Sequence, residues 1–196
     1  MAMHEARSGI KNWAQRFLVP VIVSFILLLG ALGAYVVHAQ PTKNKSNQVA
    51  TRVSVTPFGP ALVSQLELAN EHNTVKHAVY WAGRLDNTSY ELTVTASGST
   101  YIRYLPIGAL AGSTQEYLTI GSYAKTDAYQ QLQTWSKKTG AVSVRDKGGA
   151  LVVRQSANAK NTYFAFKNSP LLVEVFSPLP NASFDLIQSG KILQIK

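Results

Sequence analysis

The sequence predicts an α+β protein: an N-terminal transmembrane helix, then an extracytoplasmic domain of mainly antiparallel sheet with about three helices. Three observations lead to this class. Residues 17–39 contain no Lys, Arg, Asp or Glu. Further along, short strand-like segments alternate with turn sequences, which is typical of hairpin-connected strands. Three other segments show the helical spacing of apolar residues, and each ends in a polar or glycine-containing stretch.

Residues 17–39 form the predicted membrane span. The hydrocarbon core of a bilayer takes about 20 apolar residues of helix, and this stretch has 23. Arg7, Lys11 and Arg16 precede it, and by the positive-inside rule they remain in the cytoplasm. We therefore divide the chain into a cytoplasmic tail (1–16), a transmembrane helix (17–39), a polar stalk (40–55) and an extracytoplasmic α+β domain (56–196).

A cleaved signal peptide is the alternative to an uncleaved anchor. Val37-His38-Ala39 places small residues where a signal peptidase reads them, and cleavage after Ala39 would release a secreted protein. The apolar region is longer than the about 7–15 residues usual in a signal peptide. We therefore expect a single-pass protein of the cell membrane, with a cytoplasmic N-terminus and an extracytoplasmic C-terminal domain.

The composition limits the chemistry of the domain and its partners. The chain has no cysteine, which excludes disulfides, thiol nucleophiles and thiolate metal sites. A cysteine-free extracytoplasmic domain is more usual in bacteria. The net charge is +9, of which residues 40–196 carry +7. Such a domain is attracted to anionic wall polymers or anionic lipid headgroups, and we expect no nucleic-acid partner outside the cell.

The first half of the domain is predicted to begin with a helix and continue as strands. Pro60 suits a first helical position, and Leu62, Leu66 and Ala69 follow as one apolar stripe. We predict strands at 78–82, 90–96, 100–105 and 117–120, with a hairpin turn at 97–99.

The second half is predicted to begin with a helix that Thr126 or Asp127 caps, that faces inward through Ala128, Leu132 and Trp135, and that Gly140 ends. Hairpin strands at 142–145 and 151–154 follow. Further strands are expected at 162–166, 171–176 and 192–195, with a last helix between Asn181 and Gly190. Short turns predict antiparallel pairing with the helices on one face.

This order of elements also fits a degenerate two-fold duplication, which remains an open alternative. Asp127-Ala128 with Leu132 matches Asn181-Ala182 with Leu186 at an offset of 54 residues.

Catalytic patterns are missing from the sequence, so we predict no enzyme, cofactor or metal. There is no Gly-x-Ser-x-Gly elbow, phosphate loop or dinucleotide fingerprint. Glu71, His72 and His77 are the one set near zinc-ligand composition, and a solvated helix end explains them better. The acidic residues are dispersed, so paired carboxylates could meet only through folding. An envelope hydrolase with residues that converge in this way is the alternative function.

Aromatic residues are concentrated in the predicted strands. Alternation places Tyr101 and Arg103 on one face of their strand. These rings either fill the core with their hydroxyls at its rim, or form a solvent-facing surface that binds a glycan, a peptide or a protein. If the surface exists, we predict that Trp81, Arg84, Tyr101 and Arg103 form it.

Several strand motifs resemble a family of uncharacterised bacterial, chiefly actinobacterial, single-pass membrane-anchored proteins. The motifs lie at residues 79–83, 90–93 and 101–106, and again at 163–166 and 173–178. The resemblance covers most of residues 57–196 and implies an envelope location with a single anchor. It implies no activity, because none is known for the family. The sequence thus predicts a non-enzymatic, membrane-anchored domain that binds an envelope protein, an anionic wall polymer or a lipid surface.

Overall fold

The structure is a computed structural model that describes residues 55–196, apart from the side chains of residues 71–73. The predicted tail, the predicted membrane span and nearly all of the stalk lie outside the described residues. Within the described part, no helix is long and apolar enough to cross a membrane.

The described chain forms ten strands and three helices, which confirms an α+β fold built mostly on antiparallel sheet. The strands are β1 (Phe58–Val63), β2 (Tyr80–Trp81), β3 (Thr88–Val94), β4 (Thr100–Pro106), β5 (Thr119–Ala124), β6 (Ala141–Arg145), β7 (Leu151–Gln155), β8 (Asn158–Ala165), β9 (Leu171–Phe176) and β10 (Leu193–Gln194). The helices are α1 (Gln65–Val75), α2 (Ala128–Trp135) and α3 (Ala182–Gln188).

Eight strands form one antiparallel sheet in the order β1-β3-β4-β5-β9-β8-β7-β6. Two meanders therefore lie side by side, and they join where β5 pairs with β9 over six residue pairs. The remaining strands, β2 and β10, form a separate two-stranded ribbon. The duplication suggested by the element order stays a prediction.

The sheet is buried on both faces, because alternate residues of the central strands contribute to two separate cores. We call the side that carries Leu92, Ile102, Phe164 and Val173 the first face. The second face carries Leu151, Val153, Ala165 and Leu172 in its core cluster.

The helices cover both faces, so the prediction that they share one face was wrong. Leu68 of α1 and Ile187 of α3 belong to the core of the first face. Ala128, Tyr129 and Leu132 of α2 pack on the second face. The reason is that β7, β8 and β9 are apolar on both sides, and such strands need cover on each side.

The predicted first helix begins later than expected, because residues 58–63 form a strand. Ala61 and Val63 pair with Leu92 and Tyr90, and their side chains turn toward the first face. The helix then starts at Gln65, where Ser64 and Glu67 form a capping box. The Ser64 Oγ accepts from the Glu67 amide at 3.2 Å, and a Glu67 carboxylate oxygen accepts from the Ser64 amide at 2.6 Å. The Ser-x-x-Glu spacing was present in the sequence and marks this start better than Pro60 does.

The other predicted elements are found with shifted ends. The strand expected at 117–120 lies at Thr119–Ala124, and the one expected at 162–166 begins at Asn158. The strand at 171–176 and the hairpin formed by the strands expected at 142–145 and 151–154 are confirmed. Asp127 and Asn181 hold the N-cap positions of α2 and α3, but neither side chain makes a capping hydrogen bond.

Candidate functional site

The structure separates the four predicted binding residues into two pairs. The Trp81 ring packs on that of Tyr90, with ring centroids 6.0 Å apart, and contributes to the core of the first face. Arg84 is exposed in the loop that follows β2. Tyr101 and Arg103 lie on the second face, since they alternate with the buried Ile102 and Tyr104. A single surface that contains all four residues therefore does not form.

Trp81 and Arg84 line two open clefts at one end of the domain. The cleft of about 450 Å³ is largely apolar and includes Trp81, Leu68 and Leu193. The cleft of about 610 Å³ is more polar and includes Arg84 and Asp86. Gln65 lines both clefts.

Arg103 is engaged within the domain and holds a loop in place. Its guanidinium donates to the buried Glu91 carboxylate at 2.6 Å and to the backbone oxygens of Ser113 and Gln115 at 2.9 and 2.8 Å. It also lies over the Tyr117 ring, 5.3 Å from the centroid. The second oxygen of Glu91 accepts from the Gly112 amide at 2.6 Å. We call residues 107–116 the latched loop, since this buried ion pair fixes it to the sheet.

A second buried carboxylate on the second face is that of Glu174, which is only 7% exposed. Its Oε1 accepts from the Asn161 amide at 2.5 Å and from the Tyr163 hydroxyl at 2.9 Å. Its Oε2 accepts from the Tyr123 hydroxyl at 2.7 Å. Tyr101 borders the network, because its ring meets the Tyr123 ring edge to face with centroids 5.6 Å apart. These five residues are called the glutamate cluster below.

Gly121 makes the glutamate cluster possible. It lies directly opposite Glu174 on the neighbouring strand, and the Tyr123 side chain leans back across it. A Cβ at position 121 would lie 2.5 Å from the Tyr123 hydroxyl and 2.8 Å from its Cζ. Only glycine leaves room for the ring at this position.

Burial holds the tyrosines of the cluster in their neutral form. Desolvation raises the pKa of Tyr123 and Tyr163 well above the ordinary tyrosine range, and the nearby charge of Glu174 raises both further. Burial also raises the pKa of Tyr101. The hydroxyls of Tyr123 and Tyr163 therefore act as hydrogen-bond donors to the Glu174 carboxylate.

The three tyrosines of the cluster also belong to a strip of half-buried aromatic rings. Tyr101 and Tyr123 meet edge to face at 5.6 Å, and Tyr163 meets Trp135 of α2 in the same manner at 5.3 Å. We define the aromatic strip as Tyr101, Tyr123, Tyr163 and Trp135. Each ring is partly exposed, so the strip presents apolar edges and hydroxyl oxygens together.

The spacing of the two buried carboxylates on the second face does not support hydrolysis by a carboxylate pair. Glu91 and Glu174 lie on β3 and β9, three strand spacings apart, or roughly 14 Å. Glycosidase carboxylates lie about 5–9.5 Å apart. Both carboxylates are also fully engaged with protein donors.

His77, whose side chain the structure describes, does not supply a free base either. The two ring nitrogens of His77 lie 2.9 and 2.7 Å from the backbone oxygens of Ala78 and Gly98. Among residues whose side chains are described, no group of three His, Asp or Glu could hold a metal ion. The side chains of Glu71 and His72 are not among them.

The sequence prediction named Tyr101 but did not name Glu174, the centre of the cluster. The signal was a single glutamate inside the apolar strand Leu-Leu-Val-Glu-Val-Phe. A lone carboxylate in a strand that is otherwise buried must find hydrogen-bond donors. Its neighbours on the sheet could not be identified before the pairing of β9 with β5 and β8 was known.

No protein-family model, no curated protein and no solved structure matches this chain. The resemblance to bacterial membrane-anchored proteins therefore stays a prediction from the strand motifs.

Proposed function

We propose that this chain is a membrane-anchored, extracytoplasmic binding domain of a bacterial cell envelope and that it acts without catalysis. The observation that carries the proposal is the aromatic strip on the second face. Partly exposed aromatic rings with hydroxyl groups are enriched where proteins bind partners, because they offer large apolar area and a polar end together. The glutamate cluster fixes these rings in place, so binding costs little conformational entropy.

The proposed location rests on residues 17–39 and on the charge of the domain. The span would keep the domain at the extracytoplasmic face of the cell membrane. The +7 charge of residues 40–196 favours anionic surroundings. The partner is accordingly an envelope protein, an anionic wall polymer or an anionic lipid headgroup.

Fractionation of cells tests the anchor first. We expect the full-length mass in the carbonate-resistant membrane fraction. A soluble species that begins at Gln40 would contradict the anchor and favour a secreted protein.

Site-directed photocrosslinking then tests the aromatic strip. Because the chain has no cysteine, Thr93→Cys can carry the only photoreactive maleimide. Thr93 is half-buried and lies directly opposite Tyr101 on the neighbouring strand. We expect an adduct from position 93 in intact cells, identified by mass spectrometry, and its loss in the Thr93→Cys/Tyr101→Ala variant.

The matched control is Leu179→Cys, an exposed position between β9 and α3. Equal labelling from positions 93 and 179 would show that the adduct arises from random collision. Absence of any adduct from position 93 would remove the strip as a binding surface, although the anchor could still be correct.

A further inference from the structure

The two edges of the eight-stranded sheet differ in how they are protected. Strand β1 contains Pro60, which has no amide donor, and its register with β3 shifts between Phe58 and Ala61. Prolines and bulges of this kind block the addition of another strand. Strand β6 has neither feature: its five residues pair with β7 without a shift.

The backbone groups on the outer side of β6 can be identified from the register. The Asp146 amide donates to Ala150, and the Ser156 amide donates to Gly140. Bonded and non-bonded pairs alternate in an antiparallel ladder. Val142 and Val144 are therefore bonded to β7, while Ala141, Ser143 and Arg145 turn their backbone groups away from it.

These outward groups have few partners in the described part of the chain. The Ala141 amide donates to Lys138, but Ser143 has no second strand beside it and is exposed. The Arg145 side chain does not shield the edge, because it donates to the Tyr129 hydroxyl at 2.5 Å and to the Gly149 oxygen at 3.3 Å. The edge is thus open for strand addition.

We propose that two copies of this chain pair through their β6 strands, antiparallel, about a two-fold axis at Ser143. The amide and carbonyl of Ser143 would exchange two hydrogen bonds with Ser143 of the second copy. The amide of Arg145 would donate to the carbonyl of Ala141 in each direction. The unpaired backbone groups of this edge are thereby largely satisfied.

The side chains of β6 suit this register. Val142 of one copy would face Val144 of the other in a non-bonded pair, where side chains come closest. Both valines are half-buried, and Val144 packs on the core of the first face. Arg145 would face Ala141, so the two arginines would avoid each other.

Pairing through a single open edge produces an assembly that stops at two copies. An isologous contact uses the same strand in both copies, so β6 has no open edge left in either copy. The free edge at β1 cannot continue the sheet, since Pro60 and the register shift interrupt it. The predicted assembly is a dimer with a continuous sheet rather than a fibre.

Disulfide crosslinking of the full chain in membranes tests the axis. In a bonded antiparallel pair the Cα atoms lie about 5.5 Å apart, within the about 4.4–6.8 Å that a disulfide requires. We expect Ser143→Cys to form a covalent dimer on mild oxidation. The control is Leu62→Cys, which is exposed on the blocked edge strand β1.

If Ser143→Cys gives no more covalent dimer than Leu62→Cys, the proposal is overturned. Ser143→Pro provides a second test in detergent, measured by sedimentation. The replaced amide faces outward, so β6 keeps its bonds to β7 and the circular dichroism spectrum should stay unchanged. We expect loss of the dimer, and a folded Ser143→Pro chain that remains dimeric would overturn the proposal.

Discussion

At the scale of single residues, Glu174 organises the second face of the sheet. Three neutral donors surround its carboxylate, and a buried carboxylate needs such donors in place of water. The tyrosines gain a fixed position in return. One charge inside an apolar strand therefore fixes two rings of the aromatic strip, those of Tyr123 and Tyr163.

Glu174→Gln should lower the free energy of unfolding by about 1–3 kcal/mol, because one acceptor oxygen becomes an amide that cannot accept. Urea denaturation measures the change. The control is Glu116→Gln, which breaks only the exposed ion pair with Lys160 and should cost about 0–1 kcal/mol. Equal effects of the two substitutions would contradict the structural role of the cluster.

Gly121→Ala should destabilise the domain by about 1–3 kcal/mol, since the new Cβ displaces the Tyr123 ring from Glu174. Combined with Tyr123→Ala, the effect should be smaller than the sum of the single changes. Gly148→Ala is the control, because a Cβ there makes contacts of 3.4 Å or more. Additive effects in the double variant would show that the two residues do not compete for space.

At the scale of elements, local signals fix where α1 begins, whereas long-range pairing fixes β1. The capping box lies within four residues of sequence, so α1 carries its own start signal. Strand β1 depends on β3, which begins 25 residues after the end of β1. Until this partner is known, Leu62 of β1 fits the apolar stripe that Leu66 and Ala69 of α1 continue.

Ser64→Ala should cost about 1 kcal/mol of stability, because the Glu67 amide loses its acceptor. Thermal unfolding followed by circular dichroism measures the loss. Ser156→Ala, at an exposed turn position, should change stability by no more than about 0.5 kcal/mol. A result in which both substitutions are neutral would show that α1 does not need its cap.

Arg103→Lys should release the latched loop, because an ammonium cannot reach Glu91 and two backbone oxygens together. Hydrogen exchange should report the change as faster exchange of the Gly112 amide. The Ala150 amide, which bonds to Asp146 at 2.7 Å, serves as an internal control and should exchange as before. Unchanged protection of Gly112 would mean that the loop is held by other contacts.

At the scale of the whole molecule, two cores share one sheet and the helices are divided between them. Tyr123 and Tyr163 lie among the strands of the second face and remain neutral there. Because their pKa values are raised in the folded state, the free energy of unfolding of the entire domain depends on pH in the alkaline range.

The free energy of unfolding should fall as the pH rises above about 10, the ordinary tyrosine pKa. Below that pH the tyrosines are neutral in both states, so the folded state keeps its full advantage. Above it, the unfolded chain ionises while the folded state resists, and the balance shifts toward unfolding. Absorbance of tyrosinate during an alkaline titration measures the ionisation of the tyrosines that accompanies unfolding. Replacing Tyr123 and Tyr163 by Phe should weaken the fall in the free energy of unfolding with rising pH. An unchanged fall would contradict the role of these two tyrosines.

The sequence by itself determined the α+β class, most hairpins and the strand that carries Glu174, because alternation, turn residues and caps act within a few neighbours. It also placed Tyr101 and Arg103 on one strand face. The tertiary structure alone decided that β5 pairs with β9, that α2 lies opposite α1 and α3, and that Glu174 meets Tyr123 across Gly121. Such contacts join residues as distant in sequence as Tyr123 and Glu174, which are 51 positions apart, and Thr119 and Phe176, which are further apart still. Local periodicity cannot specify them, because many strand orders would bury the same apolar residues equally well.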